Sequence, residues 1–287
     1  MIRPRLGIGS FAYRYHIGTD GFHPEKPMSA IGFLSEAYTL GYEGVQLCEN
    51  LRYAGLSREG LLEIRQAAGE RGLFLEIGMR TLTEENLERH LEIAEILSSK
   101  FLRIVLGKNT DFPADDPEKL SKTSVAILKN AAPRLEKSGL MIGLENHFDL
   151  PTSRLADIVQ EVDSPRVGMV FDTTNALGFV ETPEKTLEMI GTRLLSAHIK
   201  DYRFRKTEAG YLMSGTILGE GRLDAEGLLR SIVRINPAAS IILEMTIRKE
   251  DSQTAPETLR WEKDAIERST QRLKSILDKI DDRGWGT

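Results

Sequence analysis

MIGLENHFDLPTSRLADIVQEVDSPRVGMVFDTTN, residues 141–175, contains one complete strand–helix–strand unit. Met141–Glu145 and Val167–Phe171 are continuous apolar runs, too short for helices and not alternating, as suits strands buried on both faces of a parallel sheet. Between them, Thr152–Val162 carries apolar residues at three- and four-residue steps, the pattern of a helix lying on such a sheet. Each strand closes on polar residues: Glu145-Asn146-His147 after the first, Asp172-Thr173-Thr174-Asn175 after the second.

The same unit recurs in both directions. Further apolar runs lie at Leu6–Ser10, Gly44–Leu47, Leu73–Ile77, Phe101–Leu106, Leu195–Ile199 and Ser240–Met245. Helical patterns fill the intervals at Ser29–Leu40, Ser57–Arg71, Glu84–Ser98, Pro117–Ser138, Pro183–Met189 and Asp224–Arg234, with a last helix near Thr258–Ile280. Ser57 and Thr83 suit helix N-caps with acidic residues following, and Gly41, Gly72 and Gly139 suit left-handed helix stops before strands. Eight strand–helix pairs joined by right-handed crossovers predict an α/β fold, a single-domain (β/α)₈ TIM barrel over residues 1–287. A doubly wound open sheet is the runner-up but usually needs fewer strands. The stretch Asp201 to Leu223 is longer than a plain connection requires and is expected to be an irregular, functional loop.

Composition narrows the partners. At 287 residues with 40% hydrophobic content, the chain is long enough for one barrel around a sizeable core. The net charge of −5 disfavours phosphate backbones and anionic lipid, so neither nucleic acid nor membrane is expected as a partner. No apolar run approaches a bilayer span, and residues 1–10 lack the apolar core of a secretory signal, so a cytoplasmic location is expected. The single cysteine, Cys48, forbids an intrachain disulfide and sits in an apolar run that suits an inert core role. Trp285, near the C-terminus, either frays or packs on a second copy in a homodimer.

Barrel enzymes gather their chemistry at the C-terminal ends of the strands. There the late strands deliver Glu145, Asp172, His198 (with Lys200 and Asp201 after it) and Glu244. The spacings are 27 residues (145 to 172), 26 (172 to 198) and 46 (198 to 244), the first two close to one barrel repeat. Three carboxylates and an imidazole converging in a dry mouth would repel or take up protons unless a cation lay among them. Any one of these residues alone reads equally well as a cap or salt-bridge partner, but four on consecutive strands favour one divalent metal ion. Three oxygen donors and one nitrogen favour Mn²⁺ or Mg²⁺, with Co²⁺ or Zn²⁺ also compatible.

Glu145-Asn146-His147, Phe171-Asp172-Thr173-Thr174-Asn175, His198-Ile199-Lys200-Asp201, the loop Leu218-Gly219-Glu220-Gly221-Arg222-Leu223-Asp224 and Glu244 resemble the sugar phosphate isomerase/epimerase family of the xylose isomerase-like TIM-barrel superfamily. Gly7-Ile8-Gly9-Ser10 and Gly41–Val45 extend the likeness to the first two strands. The resemblance implies the same four metal ligands and a metal-dependent isomerase or epimerase working through an enediolate. It makes Glu145 and Glu244 the catalytic acid/base pair as well as ligands, with Asp172 and His198 mainly structural ligands.

His147, Asn175, Lys200, Arg203, Arg205 and Glu220 are candidate substrate contacts, each with a plainer alternative. His147 also reads as a loop histidine, Lys200 as a partner of Asp201, and Arg203, Arg205 and Glu220 as solvated loop residues. Glu49, Asn50, Glu76, Arg80 and Arg103 on the early strands either line the mouth or form surface ion pairs. His16 and His23 show no ligand spacing, and His90 reads as a surface residue of a charged helix. Two positions depart from the family pattern: Asn175 stands where ketose 3-epimerases of the family tend to have histidine, and Gln46 where many have glutamate. Asparagine cannot carry a proton at neutral pH, which keeps a dehydratase or lyase acting on an inosose or keto-sugar as the alternative. The expected substrate is a small sugar or cyclitol, unphosphorylated because no glycine-rich phosphate cradle is evident. A non-catalytic sugar-binding barrel is a weaker alternative. So is a DNA-repair endonuclease, for which the chain has too few histidines.

Overall fold

The computed structural model describes residues 3–107 and 114–281, and Trp285 lies outside them. Eight parallel strands close a barrel: β1 (Arg5–Gly9), β2 (Gly44–Leu47), β3 (Phe74–Arg80), β4 (Phe101–Val105), β5 (Met141–Glu145), β6 (Val167–Asp172), β7 (Leu194–Ile199) and, after an inserted strand pair, β10 (Ser240–Leu243). Each strand pairs with its neighbours in chain order, and β1 closes on β10, as the crossover rule predicts. The fold is therefore the expected TIM barrel.

The α-helices are α1 (Arg14–Ile17), α2 (Ala30–Thr39), α3 (Arg58–Glu70), α4 (Glu84–Leu97), α5 (Pro117–Ser138), α6 (Thr152–Val162), α7 (Pro183–Ile190), α8 (Ala225–Ile235) and α9 (Ala255–Asp281), and short 3-10 turns lie between some of the elements. The predicted punctuation is present. Ser57 accepts from the Gly60 amide and Thr83 from the Asn86 amide, while Gly41, Gly72 and Gly139 have φ of 70°, 66° and 71°. Helix α8 shows how the apolar stripe docks, burying Ala225, Leu228, Leu229, Ile232 and Val233 at the i, i+3, i+4, i+7, i+8 spacing. Among the described residues no helix is long and apolar enough to cross a membrane.

Two glycines let aromatic rings fill the N-terminal end of the barrel. A Cβ on Gly44 would lie 2.3 Å from the Phe74 ring, and one on Gly143 2.6 Å from Phe101 Cζ. In β6 and β7 the register shifts between Met169 and Val170, after which Asp172 stands directly beside His198.

Three expectations need correction. Residues 201–223 are not an irregular loop. Strands β8 (Asp201–Thr207) and β9 (Gly210–Thr216) form an antiparallel ribbon outside the barrel, and the Asp201 carboxylate then holds the following turn by accepting from the amides of Gly219, Gly221 and Leu223. His90 is not on the surface: it is 6% exposed, meets the Tyr53 ring edge-on and bonds the Asn86 carbonyl through Nδ1. The last helix starts at Ala255, where the Glu257 carboxylate accepts from the amide and hydroxyl of Thr254, a capping signal in Thr254-x-x-Glu257.

Candidate metal centre

Each ligand candidate is placed by the end of its strand. Glu145 and Asp172 are the last residues of β5 and β6, His198 is the penultimate residue of β7, and Glu244 directly follows β10. The structure brings all four together: one donor atom from each lies within 4.8 Å of the others, and all four residues are buried. His198 Nδ1 is 3.0 Å from Glu244 Oε2, 3.7 Å from Glu145 Oε1 and 3.8 Å from Asp172 Oδ2.

The donors fit a cation. Glu145 Oε2, Asp172 Oδ2, Glu244 Oε2 and both ring nitrogens of His198 are buried without a hydrogen-bond partner. Such atoms are costly unless something else satisfies them. A ligand set of three carboxylates and one imidazole matches a hard or borderline dication.

Charged neighbours also reach into the cluster. Lys200 Nζ lies 2.7 Å from Asp172 Oδ2 and 3.0 Å from Glu244 Oε2, and Arg103 Nε lies 2.9 Å from Glu145 Oε2. These contacts are ion pairs between buried groups. Burial would push Glu145 up, but the charges of Arg103 and His198 outweigh it and hold the carboxyl well below the usual range. Glu244 is likewise raised by burial and lowered further by Lys200 and His198, with a net downward shift. Burial pulls His198 down, yet Glu244 and Glu145 hold its imidazole well above its ordinary value.

A second layer fixes the ligands. Asn146, which the sequence reading did not single out, spans β5 and β6. Its side-chain amide donates to the Asp172 carbonyl at 2.9 Å, and its oxygen accepts from the Asp172 amide at 2.7 Å. Its only sequence signal is its place inside Glu145-Asn146-His147. Asp172 Oδ1 accepts from the amides of Thr174 and Asn175 and from the Thr174 hydroxyl, which turns the other oxygen, Oδ2, to the cluster.

The model for the xylose isomerase-like TIM barrel matches residues 34–265. The chain belongs to this family. Among curated proteins it is 28% identical over 229 residues to 3-oxo-isoapionate decarboxylase of Pectobacterium atrosepticum, covering 79% of this chain and 80% of that protein. Among solved structures it resembles an L-ribulose 3-epimerase (TM-score 0.72, 13% identity, 98% and 96% of the two chains). It also resembles a xylose isomerase-like TIM barrel protein from Mycobacterium smegmatis in complex with magnesium (TM-score 0.65, 16% identity, 95% and 98%). At those identities the structural likeness carries the fold alone.

Within this xylose isomerase-like barrel the other expected site residues divide into two groups. Asn175 reaches the cluster, donating from Nδ2 to Glu145 Oε1 at 2.9 Å, and Lys200 lies inside it. His147 lies beside it: its Nε2 is 3.5 Å from Arg80 Nη2, and its Nδ1 is buried without a partner. Arg80 and Arg103 both contact Glu49, at 3.0 and 3.6 Å, so the three form a chain in which Arg103 is buried and Glu49 and Arg80 are half-buried. Arg203 and Arg205 are not brought to the cluster but lie exposed on β8. Glu220 bonds Arg268 of α9 at the surface and takes no part in the cluster. Gln46 is used internally, donating to Glu76 at 3.1 Å, and Glu76 lies towards the N-terminal end near Arg5 instead of at the mouth. Asn50 bonds Ser10.

Proposed function

We propose that the protein is a divalent-metal-dependent lyase that decarboxylates a small sugar-derived 3-oxo acid through an enediolate. Glu145, Asp172, His198 and Glu244 would hold the ion. When bound, a dication supplies a Lewis acid for a substrate carbonyl and its neighbouring hydroxyl.

The observation that carries this reading is that each glutamate able to move a proton touches a buried cation, Arg103 at 2.9 Å from Glu145 and Lys200 at 3.0 Å from Glu244. A carboxylate held that way is a weak base. Decarboxylation needs no base. The bond from the carboxyl carbon to the α-carbon breaks, its electron pair forms the new C=C bond, and the carbonyl π pair moves onto oxygen. Carbon dioxide leaves, and the α-carbon later takes a proton derived from solvent. Lys200, whose ammonium is disfavoured by burial but held charged by Asp172 and Glu244, opposes the negative charge that grows on oxygen. Asn175 fixes the orientation of Glu145. His147 Nδ1 and Arg80 Nη1, both buried without partners, are available to a substrate carboxylate or hydroxyl. The curated relative named for 3-oxo-isoapionate decarboxylation supports the same reaction class.

One observation favours isomerisation or epimerisation as a second reading. Glu145 and Glu244 come from strands separated by β6 and β7, so they flank the cluster from two sides, as removal and return of a proton across a sugar requires. The test incubates the Mn²⁺-loaded protein, and a chelated control, with a panel of 3-oxo sugar acids and ketoses in D₂O. Metal-dependent carbon dioxide release supports the lyase. Deuterium entering a ketose beside its carbonyl without loss of carbon replaces it with the isomerase, and Glu145→Gln should abolish metal binding and turnover together in either case.

A further inference from the structure

We propose that the cleft between the β8–β9 ribbon and residues 248–251 is a binding site for a phosphoryl group. The cleft has a volume of about 350 Å³, within the range of small-ligand sites. Strand alternation puts Arg203 and Arg205 on one face of the ribbon, backed by their cross-strand neighbours Ser214 and Leu212. Among the described residues neither guanidinium has a hydrogen-bond or ion-pair partner. Arg248 and Lys249 face them across the cleft. Arg248 has only a 3.7 Å contact with the exposed Asp251, and Lys249 Nζ reaches only the Glu250 carbonyl at 3.4 Å. Four cations against the carboxylates of Glu250 and Asp251 leave two positive charges, the complement of a phosphate dianion. Paired arginine forks suit its oxygens geometrically.

The cleft is built rather than accidental. Gly215 of the ribbon forms a bridge with Ile247, and a Cβ on Gly215 would lie 2.6 Å from the Thr246 carbonyl oxygen, so the ribbon presses against the opposite wall. Asp201 ties down the ribbon base through the amides of Tyr202, Gly219, Gly221 and Leu223. Both walls are therefore held before any ligand arrives, which lowers the cost of binding. They also grow from the cluster: Arg203 is three residues beyond Lys200, and Arg248 four beyond Glu244. A phosphate seated here belongs either to a phosphorylated ligand whose other end enters the barrel mouth or to free phosphate. The first source would revise the sequence-based expectation of an unphosphorylated substrate.

The test titrates inorganic phosphate calorimetrically into chelator-treated full-length protein at low ionic strength. Saturable binding is expected, weakened by at least ~10-fold in the Arg203→Gln/Arg205→Gln double variant. Ser214→Glu, which sets a carboxylate opposite Arg203 and leaves both arginines in place, should weaken it similarly, with melting curves confirming that both variants fold. Glu145→Gln should bind phosphate as the parent does, so loss of the metal-dependent reading leaves this result untouched. A sugar phosphate binding more tightly than inorganic phosphate assigns the phosphoryl group to a substrate-like ligand, and equal affinity assigns it to free phosphate. Absence of binding, or equal phosphate affinity in the parent and both cleft variants, overturns the proposal.

Discussion

Lys200 Nζ lies 3.0 Å from Glu244 Oε2, among the side chains that suit a cation. It also lies 2.7 Å from Asp172, so one ammonium serves two of the four candidate ligands. Lysine and a dication therefore compete for the same oxygens. Replacing Lys200 with methionine removes the ammonium shared by two buried carboxylates and leaves His198 as their nearest cationic partner, which should cost the metal-free protein about 3 kcal/mol. The rise in Tm on adding Mn²⁺ should then exceed that of the parent. Calorimetric melts with and without the ion check this, and equal shifts would show that lysine and metal do not share the site.

Asn146 acts as a side-chain rung between β5 and β6, with both of its bonds to the backbone of Asp172. Asn146→Ala removes them inside a buried layer and should destabilise the fold by about 1–3 kcal/mol. It should also weaken metal binding, because Asp172 loses its fixed position. Urea unfolding and metal titration on one preparation separate the two effects. A stability loss with unchanged metal affinity would confine Asn146 to a packing role.

His147 titrates far from its usual range. Burial is the main cause, and it lowers the imidazole to about 4. The folded state thus keeps His147 neutral where the unfolded chain, with a value of about 6.5, begins to take up a proton. Its contribution to stability is complete above about pH 6.5 and is lost as the pH falls from there towards about 4. Unfolding free energies of the parent should slope downward across that window, and His147→Asn should flatten part of the slope. An identical pH profile in the variant would remove His147 as the cause.

Cys48 is fully buried, and burial pushes its thiol up to about 12 despite the opposing charge of Arg103. The thiolate needed for reaction is almost absent at pH 8. A disulfide reagent should leave the native protein unlabelled for hours and modify one thiol promptly in denaturant. Rapid labelling of the native state would show that the core opens locally around β2.

The barrel itself was legible because strands buried on both faces and helices with one apolar stripe are local patterns, and the caps at Ser57 and Thr83 are local too. Ribbon residues 201–216 were not legible. Arg203, Phe204, Arg205 and Lys206 carry no apolar alternation, since the pair is exposed on its outer face and takes its strand geometry from pairing alone. His90 was misjudged because its helix is charged around it, yet Tyr53 arrives from a different loop to cover it.

The sequence by itself determined the repeat of strand and helix and the placement of Glu145, Asp172, His198 and Glu244 at strand ends, because side-chain direction along a strand depends only on position. Tertiary structure alone decided what those groups meet. The register shift between Met169 and Val170 sets Asp172 beside His198, and the pairing of adjacent strands carries Arg103 to Glu145 and Lys200 to Asp172 and Glu244. Charges so far apart along the chain are matched only when their strands pair, since Coulomb partners depend on distance in space and not along the sequence.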